Sequence, residues 1–438
     1  MMFSYTKKFN RINTQQLLEN NNYNNEPSFF WGNNKSNELL IGIGCNEEIE
    51  LLNSNDLDSV HSEITKKLNA ITDLTPEMNM KPKFFGGYKF NTEINKKNNW
   101  DNFPNGYFIL PKYTIMSNQD NTFITLISKS NKENIATIDE FAKKIINNND
   151  MQIAKQKNKL YAKTIDDIDC KSNYLKIINQ ILSDIKQGSI NKVVISKLKK
   201  ISIKGKFNLS KAIQQLQKSY PECINFYIHL PDRGTFLGST PERLIKKNNA
   251  QLISEAIAGT FKRGLNMKED LILENQIKED LKNLEEHNLV IKEIAHILNP
   301  LLKNIIISKS PHILKLKNVQ HLITNITGEL KENINILKLV KMIHPTPAVS
   351  GYPVDKAKKL IDKYEKHDRG WYSGPIGWID SSGDGDFCVG IRSSFINNNI
   401  IQLFSGGGIV LNSIPEEEWV ETELKMKPIL EIIENNDQ

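Results

Sequence analysis

Short hydrophobic runs bounded by polar or glycine-containing turns predict β-strands along much of the chain. In the run NKVVISK, the two-residue period of a strand places Lys192, Val194 and Ser196 on one face and Val193 and Ile195 on the other. The C-terminal runs are residues 191–197, 224–230, 235–239 and 251–260, followed by a glycine-punctuated series over 370–411.

Helical periodicity occurs between these strands. It predicts helices over residues 175–187 and 267–298, and a C-terminal helix from about Pro415 that Ser413 could cap. Strands in runs with helices between them, without a regular βα alternation, are typical of an α+β fold rather than of a doubly wound parallel sheet.

The N-terminal part has a less regular pattern. Strand-like runs occupy residues 38–44 and 121–130, and residues 131–150 have the pattern of a helix followed by a polar loop. The segment FGGY (85–88) contains a glycine pair that we interpret as a turn. By length alone, a chain of 438 residues would contain roughly three domains of about 150 residues each.

Composition narrows the class of protein. Hydrophobic residues make up 39% and charged residues 25%, which is ordinary for a soluble globular protein. The four cysteines lie far apart without a CxxC pair, which argues against a zinc ribbon, an iron–sulfur cluster or a disulfide framework. No run reaches the roughly 18 apolar residues of a membrane span, and the N-terminus lacks the apolar core of a secretory signal. We therefore expect a cytoplasmic protein without a membrane partner.

The net charge of +6 is spread along the chain. The densest basic runs, 196–206 and 356–359, are short, as expected of solvated faces. Nucleic-acid binders usually concentrate their charge on one stripe or tail. We expect no nucleic-acid partner, but a non-catalytic protein that binds anions or nucleic acid stays open as an alternative.

The common cofactor and nucleophile motifs are missing from the sequence. It contains no GxxxxGK[ST], GxGxxG, GxSxG or HExxH segment. The eight histidines are scattered singly, and each fits a structural or surface role better than metal ligation. The chemistry therefore has to come from carboxylates and lysines.

Two predicted helices carry acidic residues at helical spacing. Asn283 and Glu286 share a face of one helix, and Glu418, Glu421 and Lys425 share a face of the other. By themselves, such acids are more often solvated than functional. Carboxylates from two helices are also what Mg²⁺ uses when substrate oxygens complete its octahedron.

Two glycine-containing segments lie at the ends of predicted strands, IAGT (257–260) and SGGGIV (405–410). Glycines weaken a strand, so they indicate either the close approach of a ligand or another backbone, or a tight turn. Both interpretations fit each segment taken alone.

Taken together, these segments resemble the signature set of the chorismate-utilising enzymes. This family includes isochorismate synthase, salicylate synthase, anthranilate synthase component I and aminodeoxychorismate synthase component I. The resemblance is dense from about residue 175 to 427 and weaker before it. The segments that carry it are NKVVISK, FLGSTPERL, SEAIAGTFKRG, KNLEEH, NVQHLITNITGEL, HPTPAVSGYP, DRGWYSGPIGWIDSSGDGDFCVGIRSS and SGGGIVLNSIPEEEWVETELKMK.

The resemblance implies an α+β fold with one large domain over residues 1–438, in which antiparallel β-sheets pack face to face and helices lie outside. Residues 1–165 would form a divergent N-terminal half, and residues 170–430 the catalytic half that bears the signatures. This expectation replaces the three domains suggested by length.

The resemblance also implies roles for individual residues. Lys192 would be the base, and Glu242 the acid, which must keep a proton near neutral pH and so needs a raised pKa. Mg²⁺ would be the cofactor, held by Glu286 and Glu421, with Glu418 as a further or water-mediated partner. The substrate-binding positions would be Gly259, Thr260, Ala348, Arg392, Gly406, Gly407 and Lys425. Asn283 departs from the family, which often has an acid there, so a metal role for it is doubtful.

Within the family, the segments resemble isochorismate synthase most. Aminodeoxychorismate synthases typically have a nucleophilic lysine where this chain has Ala258, and we interpret QQLLEN (15–20) as a helix end rather than an amino-acid-binding element. The expected reaction converts chorismate to isochorismate by adding water at C2 and expelling the C4 hydroxyl, for menaquinone or siderophore biosynthesis. We expect no obligatory amidotransferase subunit. Salicylate synthase and anthranilate synthase component I remain the alternatives.

Overall fold

Helices and strands alternate irregularly along the chain. The computed structural model describes residues 1–19, 25–33, 38–51, 57–91, 100, 102–130, 133–147, 160–166 and 170–435. The strands are β1 (Met2–Asn10), β2 (Ser28–Asn33), β3 (Glu38–Ile43), β4 (Glu47–Leu51), β5 (Ile71–Asp73), β6 (Lys83–Tyr88), β7 (Gly106–Leu110), β8 (Tyr113–Ser117), β9 (Asn121–Ser128), β10 (Tyr161–Asp166), β11 (Lys192–Lys204), β12 (Ile224–Leu230), β13 (Gly234–Thr240), β14 (Arg243–Asn248), β15 (Gln251–Lys262), β16 (Leu302–Ile307), β17 (His312–Lys315), β18 (Val319–Leu330), β19 (Gly351–Tyr352), β20 (Pro375–Asp380), β21 (Gly385–Val389), β22 (Ser393–Asn397) and β23 (Ile400–Val410). The α-helices are α1 (Thr14–Glu19), α2 (Leu57–Asn69), α3 (Ile135–Asn147), α4 (Lys171–Lys186), α5 (Leu209–Ser219), α6 (Met267–Glu279), α7 (Leu281–Leu298), α8 (Ile336–Ile343), α9 (Val354–Tyr364) and α10 (Pro415–Asn435).

Within these described ranges, the strands form two sheets. The larger sheet has the order β10-β11-β23-β22-β13-β12-β2-β3-β8-β9-β1-β5, with β19 added beside β11. The smaller sheet has the order β16-β18-β15-β14-β21-β20-β6-β7-β4, with β17 added beside β18. The strand pairs are antiparallel except for β1 and β5.

The two sheets pack against each other through an aromatic core. Phe29 of the larger sheet and Phe85 of the smaller sheet have ring centroids 4.7 Å apart, and Trp371 is buried in the same cluster. Helices cover the outer faces: α4, α5 and α10 lie on the larger sheet, and α2, α7 and α8 on the smaller. The predicted α+β fold with face-to-face antiparallel sheets is confirmed.

N-terminal and C-terminal strands share both sheets. Strand β2 pairs with β12 in the larger sheet, and β6 pairs with β20 in the smaller. The two halves therefore belong to one domain rather than to the three suggested by length. In the part of the chain that the structure describes, no helix is both long and apolar enough to cross a membrane.

The glycine pair at 85–88 was wrongly interpreted as a turn. These residues lie within the fully buried strand β6. A Cβ atom at Gly86 would lie only 1.9 Å from the carbonyl oxygen of Tyr107, so glycine here permits close packing of neighbouring backbones.

The helical pattern over 267–298 contains two helices rather than one. They meet at Asp280, whose side chain accepts a hydrogen bond from the backbone N–H of Asn283 and so caps α7. This cap sets where α7 starts and thereby orients Glu286 one turn later. The polar loop expected after α3 begins at residue 148 and lies outside the described residues.

Candidate active site

A cavity lies where β11, β15 and β23 meet α7 and α10. The space between its walls, including the solvent at its mouth, is about 640 Å³. Eight of the predicted site residues line it: Glu242, Gly259, Thr260, Glu286, Ala348, Arg392, Gly406 and Lys425. Further lining residues that the sequence analysis did not single out include His321, Tyr372, Ser373 and Gly408.

Lys192 begins β11 and lies behind the cavity wall. It is fully buried, and its Nζ lies 2.9 Å from Oε1 of Glu286. Burial raises the pKa of Glu286, but Lys192, followed by Lys425 and Lys282, outweighs burial and holds that pKa below the ordinary value. Lys192 and Glu286 therefore form a buried ion pair at the edge of the cavity.

Glu242 lies on the cavity wall between β13 and β14. Its side chain is almost completely buried, and Thr346 Oγ1 donates a hydrogen bond to its Oε1 at 3.4 Å. Burial raises the pKa of Glu242 to about 7, although the nearby charge of Lys192 opposes the rise. A pKa near 7 leaves a substantial fraction of this carboxyl protonated near neutral pH, as the proposed role of an acid requires.

Arg392 and His321 form a second polar group in the cavity. Burial, followed by the charges of Arg392 and Lys425, lowers the pKa of His321 well below its ordinary value, so its ring is neutral. Arg392 Nη2 lies 2.9 Å from His321 Nε2. Since Nε2 must accept this bond, the ring proton is on Nδ1, which donates to the carbonyl oxygen of Gly259 at 3.0 Å. A neutral histidine therefore orients the guanidinium.

Gly259 forms a bulge in β15. Its φ is +73°, and the register with β18 shifts between Ala258 and Thr260. A Cβ atom at Gly259 would lie 2.9 Å from Oδ1 of Asn283, and this oxygen accepts a hydrogen bond from the Thr260 N–H at 3.2 Å. Asn283 therefore holds the bulge in place, a role that the sequence alone did not indicate.

The three glycines of β23 do not face the same side. Gly406 and Gly408 line the cavity, whereas Gly407 does not. A Cβ atom at Gly407 would approach the Tyr174 hydroxyl and the Glu418 carboxylate, so this face is directed toward α4 and α10. Gly407 therefore does not line the cavity. Gly408 lies in the cavity wall, where Gly407 was expected.

The predicted metal ligands are each paired with a lysine. Lys425 Nζ lies 2.6 Å from Glu421 Oε1 and donates to the Gly406 carbonyl at 2.9 Å. Glu418 accepts hydrogen bonds from Lys282 at 2.9 Å and from the Ser413 hydroxyl at 2.6 Å. The Ser413 hydroxyl also accepts a hydrogen bond from the Val410 N–H. It therefore connects the end of β23 to Glu418 near the start of α10.

The charges of Glu418 and Glu421 are arranged in a way that suits a hard cation. Burial, followed by the charge of Glu421, raises the pKa of Glu418 to about 7, so a cation nearby would relieve repulsion between the two carboxylates. Among the described residues, no three His, Cys, Asp or Glu side chains are grouped so as to hold a metal ion. The donors therefore fit a site with two carboxylates completed by water and substrate oxygens, as Mg²⁺ often has. Magnesium itself stays a prediction.

The fold and the cavity define an α+β protein with carboxyl, ammonium and guanidinium groups around one cavity. The family model described as "Chorismate binding enzyme" matches residues 1–434, and the chain belongs to this family. It is 31% identical over 410 residues to isochorismate synthase MenF of Bacillus subtilis (strain 168), covering 92% of this chain and 87% of the relative.

Two further similarities are consistent with this assignment. The chain is 35% identical over 258 residues to the salicylate biosynthesis isochorismate synthase of Pseudomonas aeruginosa, covering 58% of this chain and 53% of that protein. The solved structure of MenF, the menaquinone-specific isochorismate synthase from Escherichia coli, aligns with a TM-score of 0.79 and 23% identity over 98% of this chain and 94% of its own. At that identity, the structural likeness supports the fold alone.

Proposed function

We propose that this protein is an isochorismate synthase. It converts chorismate to isochorismate by adding water at C2 and expelling the hydroxyl at C4, and the product serves menaquinone or siderophore biosynthesis. Similarity to a MenF enzyme over most of both chains supports this proposal. Nothing in these relatives favours the alternative of a non-catalytic protein that binds anions or nucleic acid.

Ala258 in the cavity wall separates this chain from the members of the family that work through a lysyl adduct. Its methyl group is nearly buried and lines the cavity beside Gly259. An amine-forming relative that works through a lysyl adduct needs a lysine at this position, and alanine has no nucleophile. The group that attacks the ring must therefore be a small molecule, and water is available without a partner subunit.

Lys192 and Glu242 can supply the two proton transfers of this reaction. In its neutral form, Lys192 takes one proton from the attacking water as the bond between the water oxygen and C2 forms. In the ion pair with Glu286 it carries a proton, which it must lose before it can act as the base. Glu242, with its pKa raised to about 7, donates its proton to the C4 hydroxyl, which leaves as water while the ring double bonds shift. One water enters and one leaves, and the cycle closes when the proton taken up by Lys192 is returned to Glu242, directly or through solvent.

The remaining cavity residues bind the anionic substrate. Chorismate has two carboxylates, and Arg392 offers a planar fork for one of them while Lys425 offers a point charge. Mg²⁺, held by Glu286 and Glu421 with Glu418 near them, would neutralise charge that develops on the ring carboxylate. His321 keeps the Arg392 guanidinium in place.

Product analysis tests this proposal. The purified chain is incubated with chorismate and Mg²⁺, with and without ammonium, and the products are separated by chromatography. We expect isochorismate in both mixtures and little aromatic amine. Dominant anthranilate with ammonium would assign the protein to the amine-forming members, and salicylate with stoichiometric pyruvate would assign it to the salicylate synthases.

A further inference from the structure

Three carboxylates and three lysines are paired one to one beside the cavity. Each ion pair joins residues from different elements or different turns of one helix, and in each the N–O distance is below 3 Å. The pairs are Lys192–Glu286 at 2.9 Å, Lys425–Glu421 at 2.6 Å and Lys282–Glu418 at 2.9 Å. Because the pKa of Glu418 is raised to about 7, all six groups are ionised only above that pH, where this carboxylate cluster has no net charge.

Lys282 differs from the other two lysines in its position. Lys425 lines the substrate cavity, and Lys192 is bound to the cavity-lining Glu286. Lys282 instead lines a neighbouring cleft, which also contains Glu286 and Lys292. Lys282 is therefore not among the residues that line the substrate cavity. The ion pair described for it is with Glu418.

The ammonium of Lys282 lies in the field of the whole carboxylate cluster. Burial lowers its pKa, but the charges of Glu418, Glu286 and Glu421 outweigh burial and raise it. Two of these carboxylates, Glu286 and Glu421, are the proposed metal ligands, and Glu418 is their proposed further or water-mediated partner. A positive charge held there repels an arriving cation and competes with it for Glu418.

We propose that Lys282 is a positioning residue that acts as a counter-ion of the carboxylate cluster and weakens its affinity for Mg²⁺. This inference rests on the proposed function. Mg²⁺ alone adds two positive charges to a neutral cluster, which is unfavourable in a partly buried site. Mg²⁺ together with the chorismate dianion adds no net charge, so each promotes binding of the other.

Replacement of Lys282 by methionine tests the counter-ion role. Methionine keeps a long unbranched side chain and removes the charge, so the cluster gains a net negative charge at a pH well above 7, where Glu418 is ionised. The affinity of the chorismate-free protein for Mg²⁺, measured by isothermal titration calorimetry, should rise on the order of tenfold, which corresponds to about 1.4 kcal/mol. The further gain in Mg²⁺ affinity on adding chorismate should stay the same, because Lys282 does not line the substrate cavity.

Lys292→Met is the matched control, because Lys292 is an exposed lysine on the same helix and in the same cleft. Its Mg²⁺ affinity should equal that of the unmodified protein. Lys282→Gln is a second variant that keeps a hydrogen-bond donor for Glu418 without the charge, and it should behave as Lys282→Met does. Circular dichroism and thermal unfolding establish that each variant is folded.

Unchanged or weaker Mg²⁺ binding by both folded Lys282 variants would overturn the inference, as would an equal rise in Lys292→Met. Failure of the proposed function would appear separately. In that case the unmodified protein with Mg²⁺ would form no isochorismate from chorismate, whatever the Mg²⁺ affinities of the variants are.

Discussion

Lys192 and Glu286 are ion-pair partners, with Nζ and Oε1 2.9 Å apart. The proposed base and a proposed metal ligand are thus directly bound to each other. A cation that binds to Glu286 weakens this pair, so metal binding and the state of Lys192 are coupled through one carboxylate. Acid–base chemistry and metal dependence therefore have to be tested together.

Loss of the base should abolish most turnover. Lys192→Ala should lower kcat on the order of 10²–10⁴-fold, the usual contribution of a positioned proton-transfer group. Lys200→Ala is the control, because Lys200 lies farther along the same strand, opposite Gln402, and does not line the cavity. Steady-state assays with chorismate measure both variants. A Lys192 variant with unchanged turnover would show that another group acts as the base.

Removal of the acid should lower activity but raise stability. Burial raises the pKa of Glu242 from 4.5 to about 7, so the folded state holds a proton that the unfolded state releases. The stability contributed by this group therefore falls as pH rises from 4.5 to about 7 and stays reduced above that pH. Glu242→Gln avoids this loss, which amounts to up to roughly 3 kcal/mol at about 1.36 kcal/mol per pKa unit.

Urea unfolding measures this effect directly. The stability difference between Glu242→Gln and the unmodified protein should be small at pH 4.5, the ordinary pKa of a glutamate, and larger at about pH 8. Turnover of the variant should fall on the order of 10²–10⁴-fold. A stability difference that does not depend on pH would contradict the raised pKa.

Metal dependence should follow the two proposed ligands. Excess chelator should abolish turnover and Mg²⁺ should restore it, while Glu286→Gln and Glu421→Gln should raise the Mg²⁺ concentration needed for half-maximal activity. Glu285→Gln, an exposed acid next to Glu286 on α7, should leave this concentration unchanged. Full activity in chelator would rule out the magnesium assignment. Zinc is disfavoured, because among the described residues no cysteine or histidine is grouped with these acids so as to hold a metal ion.

Because neighbouring glycines of β23 lie on opposite faces of the strand, substitutions at Gly407 and Gly408 should have different effects on activity. A Cβ atom at Gly408 would lie 2.7 Å from Glu286 Oε1 and 2.9 Å from Lys192 Cε, so Gly408→Ala should disturb the Lys192–Glu286 pair and reduce kcat strongly. At Gly407 the nearest atom is 3.3 Å away, on the opposite face. Gly407→Ala should therefore cost less activity in the same assay. A larger loss of kcat in Gly407→Ala than in Gly408→Ala would mean that the faces of the strand were assigned wrongly.

Hydrophobic patterns predicted local elements well. Strand 224–230 has the same bounds in the structure, because both of its ends are marked by turns. The interpretation of residues 85–88 failed, since a glycine pair in a buried strand looks like a turn until the packing of β7 against it is known. Local sequence does not contain that contact.

The candidate site was predicted in its residue types but not in its pairings. The resemblance assigned Glu242, Glu286 and Arg392 to the site, and all three line the cavity. His321 was missed because one histidine in a strand has no local signal; it becomes informative only when β18 is placed beside β15. The choice between Gly407 and Gly408 likewise required the register of β23 with β11.

The origin of the new hydroxyl tests the central claim most directly. The purified protein converts chorismate in ¹⁸O-labelled water with Mg²⁺, and mass spectrometry locates the label in the product. Water addition at C2 with loss of the C4 hydroxyl predicts isochorismate with one ¹⁸O atom, located on C2, and almost no labelled product from Lys192→Ala. Isochorismate without ¹⁸O, or labelled at another carbon, would contradict the mechanism, and absence of isochorismate would contradict the function itself.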